Sequence, residues 1–301
     1  MKFVWRVVLL VWVLLLAACT SSEESPLKIV TNSWIGYSPL YYARQKGLLE
    51  PLNIKLVNVV SLGESRQLYE TGIAMAFTGT QYEFFQSYKK DNSLMPVIMF
   101  DRSNGGDMVL SNRSIEQLKN SDQTLHAYLE MDSVNLVLLK DFLLQQGLTD
   151  KKINYHNLDQ AEISALSNSA DAPPIIIITY IPYNLELQQQ GFSELASTRD
   201  NPDLLIIDAL YTSQKIFKQH KQQFLALKKV IDESIAMIER DPKDYYERVK
   251  SFIEDPGYQQ FLASLKDISW INQSMPASVK EHLKRSGFPV RDLLQNPQIN
   301  S

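Results

Sequence analysis

The sequence predicts an α/β fold divided into two lobes. Strand-like and helix-like segments alternate along most of the chain. The run Ile175–Tyr180 is unbroken and mostly β-branched, the mark of a strand covered on both faces. The strands outnumber what one small sheet holds, and repeated strand–helix units are built around mostly parallel sheets. Composition agrees with a globular chain: 301 residues, 45% apolar, 21% charged, enough for one or two cores.

The first nineteen residues read as an address. Lys2 and Arg6 precede Val7–Ala18, twelve residues without a polar side chain. As a helix that run is about 18 Å long, short of a hydrocarbon layer of about 30 Å. A basic start, a short apolar run and small residues before a cut describe a secretory signal. Leu16-Ala17-Ala18-Cys19 resembles the bacterial lipobox, which implies lipidation of Cys19 and anchoring to a membrane; Thr20 after it leaves outer-membrane sorting open. Residues 20–26 are small and polar, a tether. Cys19 is the only cysteine, which excludes an intrachain disulfide and a cysteine metal cluster.

The strands and helices then follow in order. Leu27, Ile29 and Val30 begin a strand, and Pro39–Lys46 a helix stopped by Gly47. Ile54–Val60 is a strand, Glu64–Tyr69 a helix ended at Gly72, Ile73–Phe77 a buried strand and Gln81–Lys89 a helix. Met95–Phe100 and Met108–Leu110 are strands either side of the loop Asp101–Asp107. Ile115–Leu118 starts a helix. Gln123–Leu129 is a strand, and Ser133–Gln146 a periodic helix closed by Gly147. Ile153–Leu158, Ile175–Tyr180 and Leu204–Leu210 are strands, with a helix at Ala161–Ser167. Beyond Ser213 the pattern is helical: Gln214–Arg240, Pro242–Glu254, Pro256–Lys266 and Pro276–Ser286. Residues 27–104 with 213–301 form lobe one and 105–212 form lobe two, hinged where the chain crosses near Ser103–Asp107 and Asp208–Ser213.

Residues Trp34-Ile35-Gly36-Tyr37-Ser38-Pro39 and the continuation to Leu49 are similar to the opening of periplasmic solute-binding proteins of ABC importers, the nitrate, sulfonate, taurine and thiamine-pyrimidine branch. Ser103–Asp107 looks like the S-x-G-x-D turn of some members, and Thr179-Tyr180-Ile181-Pro182 resembles their T-Y-x-P. Met75 stands where members usually carry Asp, and Ile175, after Pro173 and Pro174, fills the slot expected for Asp-Ala. The resemblance implies a two-lobed periplasmic binding protein fold of type II, with two mostly parallel sheets, flanking helices and a two-crossing hinge. It also implies a monomer on the periplasmic side of a bacterial membrane that captures a small molecule and delivers it to an inner-membrane ABC permease.

Ligands of open α/β sheets sit beyond the carboxyl ends of the strands. Seven candidates lie there: Trp34 for stacking, Tyr37 in the loop before the first helix, Thr78 and Thr80 after the third strand, Asp107 at the crossing, Ser133 as a helix N-cap and Tyr180 at a strand end. Asp107 would select a cationic or N–H donor group. Each also has a packing, capping or turn role open to it. Arg44, Arg66 and Arg102 read as surface charges, and Lys228–Lys229 with Asp232–Glu233 as a solvated helix face. The site favours a partly planar or amino-bearing molecule, a pyrimidine or an aminosulfonate, over nitrate.

Other functions lack signals. Without residues 1–19 the chain carries 28 basic and 34 acidic side chains, no footprint for nucleic acid. His126, His156, His220 and His282 are scattered, and no H-E-x-x-H, G-x-S-x-G, G-x-G-x-x-G or P-loop motif occurs. No cofactor or metal is expected. Two alternatives to import stay open: a lipid-anchored sensor that signals through a membrane receptor, and an enzyme on the same fold.

Overall fold

The computed structural model describes residues 25–200, 204–290 and 293–294. The signal, Cys19 and most of the tether lie outside the described residues. Two sheets organise the chain. The first has six strands in the order β11-β4-β10-β3-β1-β2: β1 (Leu27–Thr31), β2 (Ile54–Asn58), β3 (Ala76–Thr80), β4 (Leu94–Ser103), β10 (Ile207–Ser213) and β11 (Ile268–Trp270). The second has five, β7-β6-β8-β5-β9: β5 (Asp107–Ser111), β6 (Leu125–Leu129), β7 (Ile153–Asn157), β8 (Ile175–Tyr180) and β9 (Ser193–Ser197).

The sheets are mixed, which corrects the expectation of mostly parallel ones. β1 runs parallel to β2 and β3, and β6 parallel to β7 and β8. The other pairings are antiparallel: β10 with β3 and β4, β11 with β4, and β5 with β8 and β9. The hinge is the reason. β4 carries the chain out of the first sheet and β10 brings it back; placed side by side, they must run in opposite directions. β5 and β9 do the same in the second sheet.

The first crossing is Asn104-Gly105-Gly106, between β4 and β5. The second lies between Ser197 and Ile207, so the expected crossing at 208–213 falls inside β10, which belongs to the first sheet. The two crossings are bonded to each other. The Ser103 and Thr198 hydroxyls are 2.8 Å apart, the Gly105 N–H donates to Thr198 Oγ1 at 2.7 Å, and the Ser103 N–H donates to the Ile206 carbonyl at 3.0 Å.

Helices pack on both sheets: α1 (Ser38–Gln45), α2 (Leu62–Glu70), α3 (Gln81–Tyr88), α4 (Ile115–Asn120), α5 (Asn135–Gln145), α6 (Gln160–Ser164), α7 (Asn184–Gln189), α8 (Gln214–Gln219), α9 (Lys221–Arg240), α10 (Pro242–Val249), α11 (Tyr258–Ser264) and α12 (Ala277–Arg285). Their starts follow local chemistry. Ser61 accepts the Glu64 N–H at α2, and reciprocal capping boxes open α3 (Thr80 with Glu83), α4 (Ser114 with Gln117) and α6 (Asp159 with Glu162). The helix expected over 214–240 breaks at His220, whose φ of −111° leaves the helical region. The face of α9 expected to be solvated is not so throughout: Lys228 is buried and paired with Asp232, which also accepts from Asn272. Arg66, expected on the surface, is buried and paired with Glu70 at 2.8 Å.

One face of the first sheet is held by an aromatic cluster. Phe84 of α3 meets Tyr211 at 5.4 Å and Phe288 at 5.0 Å between ring centroids, and Phe77 meets Tyr211 at 5.3 Å. Phe84 is fully buried. Phe84→Ala is expected to lower the unfolding free energy by about 3–5 kcal/mol, read as a lower urea midpoint at unchanged slope.

Candidate functional site

Between the sheets, where the crossings bring the two lobes together, lies a cavity lined by Asn32, Trp34, Leu62, Thr80, Asp107, Tyr180, Ile206 and Asp208. Its volume, about 10 Å³, is the room one water molecule needs. In this arrangement it has no room for anything larger.

Lobe one contributes the loop after β1. The Asn32 side chain accepts the Trp34 N–H at 3.2 Å, setting the turn that delivers the indole. Gly36 is required beneath it: a Cβ there would stand 1.9 Å from Asp101 Oδ2 and 2.4 Å from Trp34 Nε1. The indole N–H thus faces the Asp101 carboxyl and lowers its pKa a little, but is too poorly aligned to count as a hydrogen bond. Lobe two contributes Asp107, opposite Tyr180 in the β5–β8 register, and Tyr180 meets Trp34 edge to face at 5.8 Å. The polar contacts here are slack: Asn32 Nδ2 to the Tyr180 hydroxyl and Tyr180 to Glu130 Oε1 are each 3.5 Å.

The seven residues expected from the sequence divide. Trp34, Thr80, Asp107 and Tyr180 line the cavity. Tyr37, Thr78 and Ser133 do not line it. Tyr37 donates its hydroxyl to Asp208 Oδ1 and packs on Phe100, so it supports a lining residue. Thr78 lies inside β3 rather than after it, and its hydroxyl donates to Thr31 Oγ1 at 3.0 Å within the sheet. Ser133 is not the N-cap of α5, a position held by Val134; its hydroxyl accepts the Asn135 N–H and donates to the Glu130 carbonyl.

Sequence reasoning missed the acids. Asp208 faces both Thr80 and Asp101 across the neighbouring strands. Both oxygens of Asp101 and Oε2 of Glu130 are buried without a hydrogen-bond partner. Glu83 is also buried, but satisfied: Oε2 accepts from Thr80 N–H and hydroxyl, and Oε1 accepts the Val134 N–H at 3.1 Å from the other lobe. Among the described residues none of these four carboxyls, nor that of Asp107, is in an ion pair, and no lysine or arginine lines the cavity. The available signal was a charged residue closing an apolar run, as in Leu205-Ile206-Ile207-Asp208.

Burial therefore favours the protonated acids. It pushes Asp107 up to about 7, helped by Glu83 and opposed by the Ser103 hydroxyl. Burial and then Glu83 push Glu130 up to about 8. Asp101 is raised well above the carboxylate range by burial and Asp107, and Asp208 by burial and then Asp101.

No protein-family model matches the chain, and no curated protein does. Solved structures do. The alkanesulfonate-binding protein SsuA from Xanthomonas axonopodis pv. citri, bound to MOPS, is similar at a TM-score of 0.69 and 16% identity over 89% of this chain and 93% of that one. A ligand-binding component of an ABC-type import system from Staphylococcus aureus, with zinc bound, reaches 0.67 at 15% identity over 88% and 92%. A Candida albicans protein described as exhibiting the generic periplasmic binding protein structural fold reaches 0.64 at 12% identity over 88% and 91%. The chain has the periplasmic binding protein fold. Its cavity thus lies between the two lobes of a binding-protein fold, and at these identities the likeness carries the architecture alone.

The raised pKa values give a sign. The folded protein holds protons that the unfolded chain releases near pH 4, so this stabilisation is complete below about pH 4 and is lost as the pH rises through about 7 for Asp107 and about 8 for Glu130. Glu247, held down at about 2 by Lys243 and Lys250, has finished titrating below that window. Without added solute, the melting temperature is expected to fall between about pH 5 and about pH 8; a flat or rising profile would contradict the assignment.

Proposed function

We propose that the chain is an extracytoplasmic solute-binding protein that captures a small molecule by closing two lobes on it and delivers it to an ABC permease. The observation that carries this reading is the composition of the cavity wall: Trp34, Thr80 and Asp208 come from one lobe and Asp107 and Tyr180 from the other. A solute touching both walls binds the closed form better than the open one, which is the whole of what drives closure. Nothing is chemically changed in this reading, and no cofactor is needed.

The location follows from the sequence rather than the fold. Lys2, Arg6, the apolar run to Ala18 and the lipobox-like Leu16–Cys19 support export and a lipid anchor at Cys19, with the binding domain on the periplasmic side. Import is favoured over a sensing role because structures of this architecture include ligand-binding components of ABC import systems. Residues 20–26, small and polar, read as a short tether between the anchor and β1.

The test uses the soluble domain without residues 1–19, screened by thermal melting against a broad metabolite panel. At least one small molecule is expected to raise the melting temperature, and Trp34→Ala and Asp107→Ala are each expected to abolish that rise while leaving a cooperative unfolding transition. Unchanged stabilisation in both variants would reject this cleft.

A further inference from the structure

We propose that the solute taken by this cleft is a small organic cation bearing N–H donors, an amine, amidine or protonated amino-heterocycle, and that oxyanions such as sulfonates are excluded. This rests on the solute-binding reading and names the class of molecule it applies to.

The lining supplies charge of one sign only. Asp107 and Asp208 stand on opposite lobes at the cavity wall. Behind them the Asp101 carboxyl is fully buried with both oxygens unpartnered, and Glu130 leaves Oε2 unpartnered. Unpartnered buried acceptors call for donors, and a carboxylate is best met by a cation that also donates N–H. Two arginines are committed away from these acids: Arg66 to Glu70 and Asp132, and Arg199 to Asp267.

The place an anion would take is filled by the protein itself. The N-terminal end of the eleven-residue helix α5 faces lobe one, and the free N–H of Val134 there is taken by Glu83 Oε1. An anion at that helix end would have to displace a carboxylate and then sit among four more. Like-charge juxtaposition of this kind rejects the wrong ligand as effectively as a clash.

The remaining walls suit an organic cation rather than a bare ion. Trp34 and Tyr180, packed edge to face on each other, give the cavity wall aromatic surface, and ring faces attract ammonium and amidinium groups. Among the described residues, no three His, Cys, Asp or Glu side chains are gathered as metal ligands are. The acids come from five separate places in the chain, on β4, β5, β10 and α3 and after β6.

Protonation couples to this choice. The groups facing Asp107 are Asp101, Asp208, Glu83 and Tyr180; none supplies a positive charge. A cation therefore binds by displacing protons, and its affinity rises with pH across the window in which these acids ionise.

The experiment uses two series matched in shape and differing in charge: benzamidinium, benzamide and benzoate, and 4-aminopyridinium, isonicotinamide and isonicotinate, with benzenesulfonate added. Binding to the soluble domain is measured by calorimetry and thermal melting at about pH 8 and about pH 6. A cation is expected to bind at least about tenfold tighter than its neutral partner, to weaken by about tenfold at the lower pH for each proton released, and the anions are expected not to bind. Asp107→Asn and Asp208→Asn are isosteric and should lose at least about tenfold in cation affinity while melting higher than wild type at about pH 8 without solute, a gain that a purely structural role for these carboxylates would not give. Binding of the anions in preference to the cations would overturn the charge assignment and leave the solute-binding reading standing. Silence in both series would also overturn the cation assignment, and mass spectrometry of solute co-purified with the domain then judges the solute-binding reading separately.

Discussion

Five carboxyl groups are buried where the two lobes meet, and the wall of their cavity carries no lysine or arginine among the described residues. Burying an ionised carboxylate without a partner costs several kcal/mol. Hydrogen bonds meet part of that cost, at Glu83 and Asp208, and burial shifts the rest toward protonation, raising Asp107 to about 7 and Glu130 to about 8. Other features of the site follow from this constraint. The hydrogen bonds around Tyr180 stay long, Asp101 faces an indole N–H without engaging it, and Asp208 leans on the Tyr37 hydroxyl. A cleft built this way gains when something positively charged arrives and loses when something negatively charged does.

The backbone creates the constraint. The chain leaves the first sheet along β4 and returns along β10, which puts Asp101 and Asp208 side by side in register. It enters the second sheet at Asp107, four residues after β4 ends, so a third acid is carried to the same place. Cross-strand pairs of like charge destabilise a sheet, which also favours protonation of this pair. The acids therefore gather beside the two crossings that join the lobes.

Much of this was legible in the sequence. Alternation of strand and helix gave the class, and Ile175–Tyr180 gave the centre of the second sheet. The opening motif placed Trp34, and strand-end reasoning placed Thr80, Asp107 and Tyr180 at the cavity. What was not legible depends on register. Asp101 and Asp208 have no meaningful spacing in sequence and become a pair only when β4 and β10 lie together. Glu83 reads locally as a capping-box acid, and nothing near it in sequence reveals that its second oxygen reaches Val134 in the other lobe. The same limit explains the mixed sheets. β9 is short and polar and β11 has three residues, so neither announces itself, and both pair antiparallel. The break in the long helix at His220 carries no glycine or proline to mark it.

The central claim is about protons, and carbon-13 NMR of the aspartate and glutamate side-chain carboxyls reads them directly. In the domain without residues 1–19 and without added solute, two carboxyls should titrate at about 7 and about 8, from Asp107 and Glu130, with Asp101 and Asp208 also raised well above the ordinary carboxylate range. If every carboxyl has instead ionised by about pH 5, the range of ordinary exposed acids, the cleft is not the uncompensated acidic chamber described above.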